Sequence, residues 1–177
     1  MNFIEFFQDI IQVRKFANGS LKAGSKYMQF LLENILDSNN SFISNTEVHF
    51  NKENCQIEGG AIIICNHPSF LDFAIVKKGI DCYCLTDNVD REFKTTEEYI
   101  NNYNVIPYFK DDNNAGSNAK DIILKCVMEG KKVLVFPEGT IEMTEEIIHF
   151  KKGLFEMAYN NSIPIVSLNI IYNSDFE

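Results

Sequence analysis

Ala61-Ile-Ile-Ile-Cys-Asn-His-Pro-Ser-Phe-Leu-Asp72 is a short apolar run broken abruptly by polar residues and a proline. An uninterrupted apolar stretch of this length reads as a strand buried on both faces, the kind found in parallel sheets. The break at His67-Pro68-Ser69 puts His67 where the chain leaves the sheet. Ser69 is suited to cap a following helix, and Asp72 then falls in that helix's first turn. Strand, corner and helix form the first unit of an alternating chain.

Outward from this unit the alternation continues. Further strands are predicted at Cys82–Leu85, Val105–Phe109, Val133–Phe136 and Ile163–Ile170, and helices at Phe70–Lys78, Arg91–Asn102, Asn118–Glu129 and Lys152–Asn160. Strands separated by helices at this spacing predict an α/β fold with a largely parallel sheet flanked by helices. The first 37 residues differ: Phe3, Ile4, Phe6, Phe7, Ile10 and Ile11 recur at helical spacing, and Met28, Leu31, Leu32, Ile35 and Leu36 do so again after Asn18-Gly19. Residues 1–37 are therefore read as an N-terminal amphipathic helical hairpin, and 38–177 as the α/β domain. No apolar stretch reaches the roughly 18 residues of a spanning helix.

The chain has 177 residues, 45% of them hydrophobic, enough for one compact domain with a core of its own. Its five cysteines are irregularly spaced and follow no signal-like segment, which points to a reducing, cytosol-facing compartment. Cys82 and Cys84 lie two apart in an apolar run and read as core residues on one face of a strand, with no second Cys/His pair nearby to complete a metal site. A net charge of −9 excludes a sequence-independent nucleic-acid binder, which relies on clustered Lys and Arg. The acidity is uneven, since Arg14, Lys15, Lys22 and Lys26 fall in a stretch from Ile10 to Leu32 that has no Asp or Glu. Beside an aromatic, Ile-rich face, those charges suit a helix resting on an anionic membrane surface, although packing on the sheet would account for the same pattern.

Two constellations carry chemistry. His67 and Asp72 can meet across the corner, where a carboxylate on one ring nitrogen sets the tautomer and leaves the other nitrogen as a base. A lone pairing of this kind is common, and Asp72 could equally serve the helix N-terminus. Val133-Leu-Val-Phe-Pro-Glu-Gly-Thr140 is a strand that delivers Phe136, Pro137, Glu138, Gly139 and Thr140 to a loop, with Gly139 allowing close backbone approach. Glu138 either orders that loop or touches substrate. His49 and His149 read as solvated or structural.

Together these stretches resemble the lysophospholipid and glycerol-phosphate acyltransferase family, which includes 1-acylglycerol-3-phosphate acyltransferase. Asn66 to Asp72 is similar to its His-x-x-x-x-Asp block, Phe136 to Thr140 to its acceptor-binding block, and Phe150-Lys-Lys-Gly153 with Ile163-Pro-Ile-Val166 to its closing block. The likeness runs from about Glu58 to Leu168. It implies direct acyl transfer: His67, oriented by Asp72, takes the acceptor's proton, and the oxygen attacks an acyl-CoA or acyl-carrier-protein thioester. The implied acceptor is a lysophospholipid or glycerol phosphate, held by Ser69, Lys110 and the Phe136–Thr140 loop at a membrane surface on its cytoplasmic side. No cofactor or metal is implied. Backbone N–H groups near Gly139 or Ser69 are the candidate donors to the developing oxyanion.

Three departures stand out. Lys110, closing Asn104-Val-Ile-Pro-Tyr-Phe-Lys110, replaces an expected Arg, and a lysine neutralises phosphate as a point charge without the bidentate fork. Ile141 follows Thr140 where many members carry Arg. The chain also ends soon after the Ile163–Ile170 strand, which reads as a minimal fold or a fragment. A non-catalytic lipid or acyl-CoA binder of the same fold, and an acyl thioesterase using water as acceptor, stay open beside the transferase.

Overall fold

The computed structural model describes residues 58–67, 72–87, 89, 94–140 and 149–171; the expected N-terminal hairpin, His49, Ser69 and Ile141 lie outside the described residues. The described chain alternates strictly, as β1 (Ala61–Cys65), α1 (Asp72–Gly79), β2 (Tyr83–Thr86), α2 (Thr96–Tyr103), β3 (Val105–Pro107), α3 (Ala115–Met128), β4 (Lys132–Val135), α4 (Lys152–Asn160) and β5 (Ile165–Leu168). The strands form one sheet in the order β3-β2-β4-β1-β5, and every pairing is parallel.

Strand periodicity divides the core into two layers. Ile63, Cys65, Cys84, Val105 and Leu134 face one way and meet Phe73 and Val76 of α1 and Tyr99 of α2. Ile62, Ile106, Val133 and Val135 face the other way and meet Ile123 and Val127 of α3 and Met157 and Ala158 of α4. Ile62, Ile63, Val133 and Leu134 are wholly buried, and each such side chain contributes about 1.5–3 kcal/mol relative to exposure. β1 and β4 are therefore apolar at nearly every position because both of their faces are covered. Among the described residues the edge strand β5 pairs only with β1, and it leaves Ile165 partly exposed.

Crossover handedness explains why the helices segregate. From β1 to β2 to β3 the chain moves toward one edge, with α1 and α2 on one face; from β3 to β4 to β5 it moves back, with α3 and α4 on the other. A constant right-handed crossover demands that reversal of face. Neighbouring strands β1 and β4 consequently send the chain to opposite faces, which opens a crevice beyond their carboxyl ends.

Boundaries differ from the sequence expectation where local hydrogen bonding decides them. Helix α2 starts at Thr96 rather than Arg91, because Thr95 and Glu98 form a reciprocal cap: the Glu98 N–H donates to Thr95 Oγ1 at 3.2 Å, and the Thr95 N–H donates to Glu98 Oε2 at 2.7 Å. It ends at Asn104, left-handed at φ 56°. Helix α3 begins three residues earlier than expected, after the turn in which the Asn114 N–H bonds Asp112. Helix α4 and strand β1 have the predicted limits.

Candidate active site

β1 ends at Cys65, and Asn66 then mimics one further rung of the ladder with its side chain. Its Nδ2 donates to the Ile170 carbonyl at 3.0 Å, and its Oδ1 accepts from the Ile170 N–H at 2.7 Å. This clamp pins the chain beyond β5 to the residue before His67 and fixes the direction in which the corner leaves the sheet. Asn66 carried no role in the sequence reading, since its partner lies 104 residues away.

His67 and Asp72 meet: Nδ1 stands 2.8 Å from Asp72 Oδ2, and Asp72 is completely buried at the start of α1. A carboxylate out of water must be hydrogen-bonded to be tolerated, and the imidazole supplies one of its partners. With Nδ1–H donating to Asp72, Nε2 retains the lone pair. Phe136, the first residue after β4, stacks on the ring with centroids 3.8 Å apart and planes 14° from parallel. Held at one edge and covered on one face, the imidazole has little freedom to turn. It lines a cavity of about 540 Å³ at the carboxyl ends of β2 and β4, extending along α3.

The loop after β4 is tied on both sides. The Gly139 N–H donates to the Phe136 carbonyl at 3.0 Å, closing a turn that sets Gly139 at φ 71°, and the Lys151 N–H donates to the Pro137 carbonyl at 3.0 Å. The amide of Gly139, an expected oxyanion donor, is thus engaged within its own turn. Pro137, Gly139 and Thr140 line the cavity with Phe136, as does Lys110, which is ion-paired to Asp87. Glu138 does not line it; its charge acts instead on Cys65. Asp87, at the carboxyl end of β2, is a lining residue that the sequence reading passed over although strand ends were the place to look, and Lys120 and Lys151 were not singled out as site residues.

Cys65 lies close to the dyad in surroundings that disfavour its thiolate. Burial, reinforced by the negative charge of Asp72, pushes its thiol up to about 12, so the reactive thiolate is scarce near neutrality. Cys82 and Cys84 are buried in one core layer, as their spacing predicted. Among the described residues no group of three His, Cys, Asp or Glu side chains is arranged to hold a metal ion, and no helix is long and apolar enough to cross a membrane.

Residues 46–171 match the profile of the Acyltransferase family, and the chain belongs to that family. A Caenorhabditis elegans protein named, provisionally, 1-acyl-sn-glycerol-3-phosphate acyltransferase acl-2 is 32% identical over 142 residues, which cover 74% of this chain and 49% of that protein. The 1-acyl-sn-glycerol-3-phosphate acyltransferase of Bacillus subtilis is 28% identical over 66% of this chain and 58% of its own length. A protein of the same name from Cocos nucifera is 28% identical over 61% of this chain and 36% of its own length. The chain spans about half the length of the curated relatives it matches.

Proposed function

We propose that the chain transfers a fatty acyl group from an acyl thioester, acyl-CoA or acyl-carrier protein, to the free hydroxyl of a lysophospholipid such as 1-acylglycerol-3-phosphate. The observation that carries this reading is the 2.8 Å contact between His67 and a wholly buried Asp72 at the wall of the cavity. His67 Nε2 takes the hydroxyl proton while the acceptor oxygen attacks the thioester carbonyl, and Asp72 steadies the imidazolium that forms. The tetrahedral intermediate then collapses, the carbon–sulfur bond breaks, and the departing thiolate recovers the proton from His67. Phe73, Ile123, Val135 and Leu154 offer apolar wall for an acyl chain. Lys110 and the loop from Phe136 to Thr140 are assigned to the acceptor's head, a reading supported by the presence of Lys110, Phe136, Pro137, Gly139 and Thr140 in the cavity lining, and Ser69 is assigned to the same site on its sequence position alone.

Residues 1–36 are proposed to rest on the membrane surface, by virtue of the acid-free stretch containing Arg14, Lys15, Lys22 and Lys26. Their deletion is expected to release the protein from anionic vesicles, and a truncated form that still sediments with vesicles contradicts the assignment.

The deciding experiment is incubation of purified protein with labelled acyl-CoA, with and without 1-acylglycerol-3-phosphate. Lipid product that depends on acceptor supports transfer. Free fatty acid formed equally without acceptor identifies a thioesterase, and binding without turnover identifies a carrier; either result replaces the reading.

A further inference from the structure

The cavity carries more positive charge than the dyad's proton transfer requires. Lys110, Lys120 and Lys151 line it, and Asp87 is the single acidic residue in that lining among the described residues. This local excess belongs to a chain whose net charge is −9.

The three lysines are not equivalent. Lys110 shares its charge with Asp87, whereas among the described residues Lys120 and Lys151 have no acidic partner. Each of these two instead lies across a glycine of the site. A Cβ placed on Gly139 would stand 2.6 Å from Lys151 Nζ, and one on Gly153 would stand 2.8 Å from Lys120 Nζ. Contacts that short are excluded, so any side chain at either position would push an ammonium group aside. Both ammonium groups thus lie close over bare backbone, one at the loop after β4 and the other at the first turn of α4. Lys151 is exposed and Lys120 half-buried, so both are open to a ligand. Two uncompensated ammonium groups beside an apolar wall are the complement of an amphiphile with an anionic head.

We propose that Lys120 and Lys151 are the ligands of the acceptor's phosphate and the determinants of preference for a phosphorylated over an uncharged acceptor; this assignment rests on the acyl-transfer reading above. It also accounts for the positions at which arginine was expected. The charge comes from α3 and from the head of α4, rather than from Ile141 after the loop or mainly from Lys110, whose pairing with Asp87 lowers its share. Lysines act on phosphate as point charges, so the ligand is recognised by charge and reach and not by a planar fork.

The test uses Lys120→Gln, Lys151→Gln, the double variant, and Lys→Arg at each position, with Lys125→Gln on the exposed side of α3 as a control. Kinetics are measured with 1-acylglycerol-3-phosphate and with a monoacylglycerol of the same chain. Each glutamine variant should raise the KM for the phosphorylated acceptor about tenfold, the size of one lost charge-assisted contact, and lower the preference for it over monoacylglycerol by the same factor. Arginine should restore both, and Lys125→Gln should change neither. A rise confined to the KM for acyl-CoA would give these lysines to the donor's phosphates and overturn the proposal, as would an unchanged acceptor preference. Equilibrium binding of radiolabelled 1-acylglycerol-3-phosphate to the same proteins reads the contact without turnover. A tenfold loss of affinity in the glutamine variants supports the assignment even in a protein that transfers nothing, a result that would sink the acyl-transfer reading alone. Unchanged binding overturns it.

Discussion

His67 and Asp72 sit five residues apart on one corner, gripped by Phe136 and closed from water at the carboxylate; Lys110, Lys120 and Lys151 reach the same cavity from three separate elements, and the Lys110 side chain is 60% exposed. The corner depends on one short contact between two buried or half-buried groups. The rim spreads its charge over several solvated side chains, each screened by water. Damage to the corner should therefore be all-or-none and appear in kcat, while damage to the rim should be graded and appear in the acceptor KM.

The largest effect that can break this contrast is His67→Ala. It should lower acyl transfer by at least roughly 100-fold, the usual contribution of a positioned general base, and it should also lower the melting temperature, because the buried Asp72 carboxylate loses one of its hydrogen-bond partners. Activity above a few per cent in a folded variant would remove His67 from the mechanism and place corner and rim on the same footing. Next comes Gly139→Ala, which touches both regions. Its left-handed φ of 71° costs an L side chain roughly 1–2 kcal/mol, and the new methyl meets Lys151 Nζ. Denaturant unfolding should show that loss of stability, and kinetics should show a raised acceptor KM. A variant as stable as the parent with an unaltered KM would refute the placing of Lys151 over Gly139 as part of the acceptor site.

A smaller change is expected from Lys110→Ala. With Asp87 already taking part of its charge, the acceptor KM should rise only a few-fold and kcat should hold, because a contact made equally in ground and transition states affects binding alone. A rise larger than that of Lys120→Gln would reverse the ranking of the lysines. A separate effect concerns stability at alkaline pH. Burial raises the Cys65 thiol from near 9 to about 12, so the unfolded chain loses its proton first. The contribution is intact below pH 9 and is lost as pH rises from there toward 12. Denaturation midpoints should decline over that interval, and Cys65→Ala should flatten the decline; an identical slope in the variant would assign it to other groups.

The two regions also differ in how openly the sequence announces them. The dyad is legible because a strand end, a proline break and a helix start are local events, and five residues of spacing suffice to bring imidazole and carboxylate together. The second helix opens at Thr96, five residues after the expected Arg91, at a Thr-x-x-Glu cap that the sequence displays. Lys120 offered no local sign at all: it is one of several lysines on or near α3, and only its position against Gly153 distinguishes it. Asn66 was visible as part of a motif, but its clamp on Ile170 requires β5 to lie beside β1.

The sequence alone determined an alternating α/β chain with a parallel sheet, the two-sided burial of its first strand, and the pairing of His67 with Asp72, because periodicity, turn chemistry and short loops act between near neighbours. Only the tertiary structure decided the order β3-β2-β4-β1-β5, and with it the crevice between β1 and β4, the stacking of Phe136 on His67 and the gathering of the lysines. Strand order is chosen by how whole layers pack and cross over. No local stretch of residues encodes which distant side chains will share a wall.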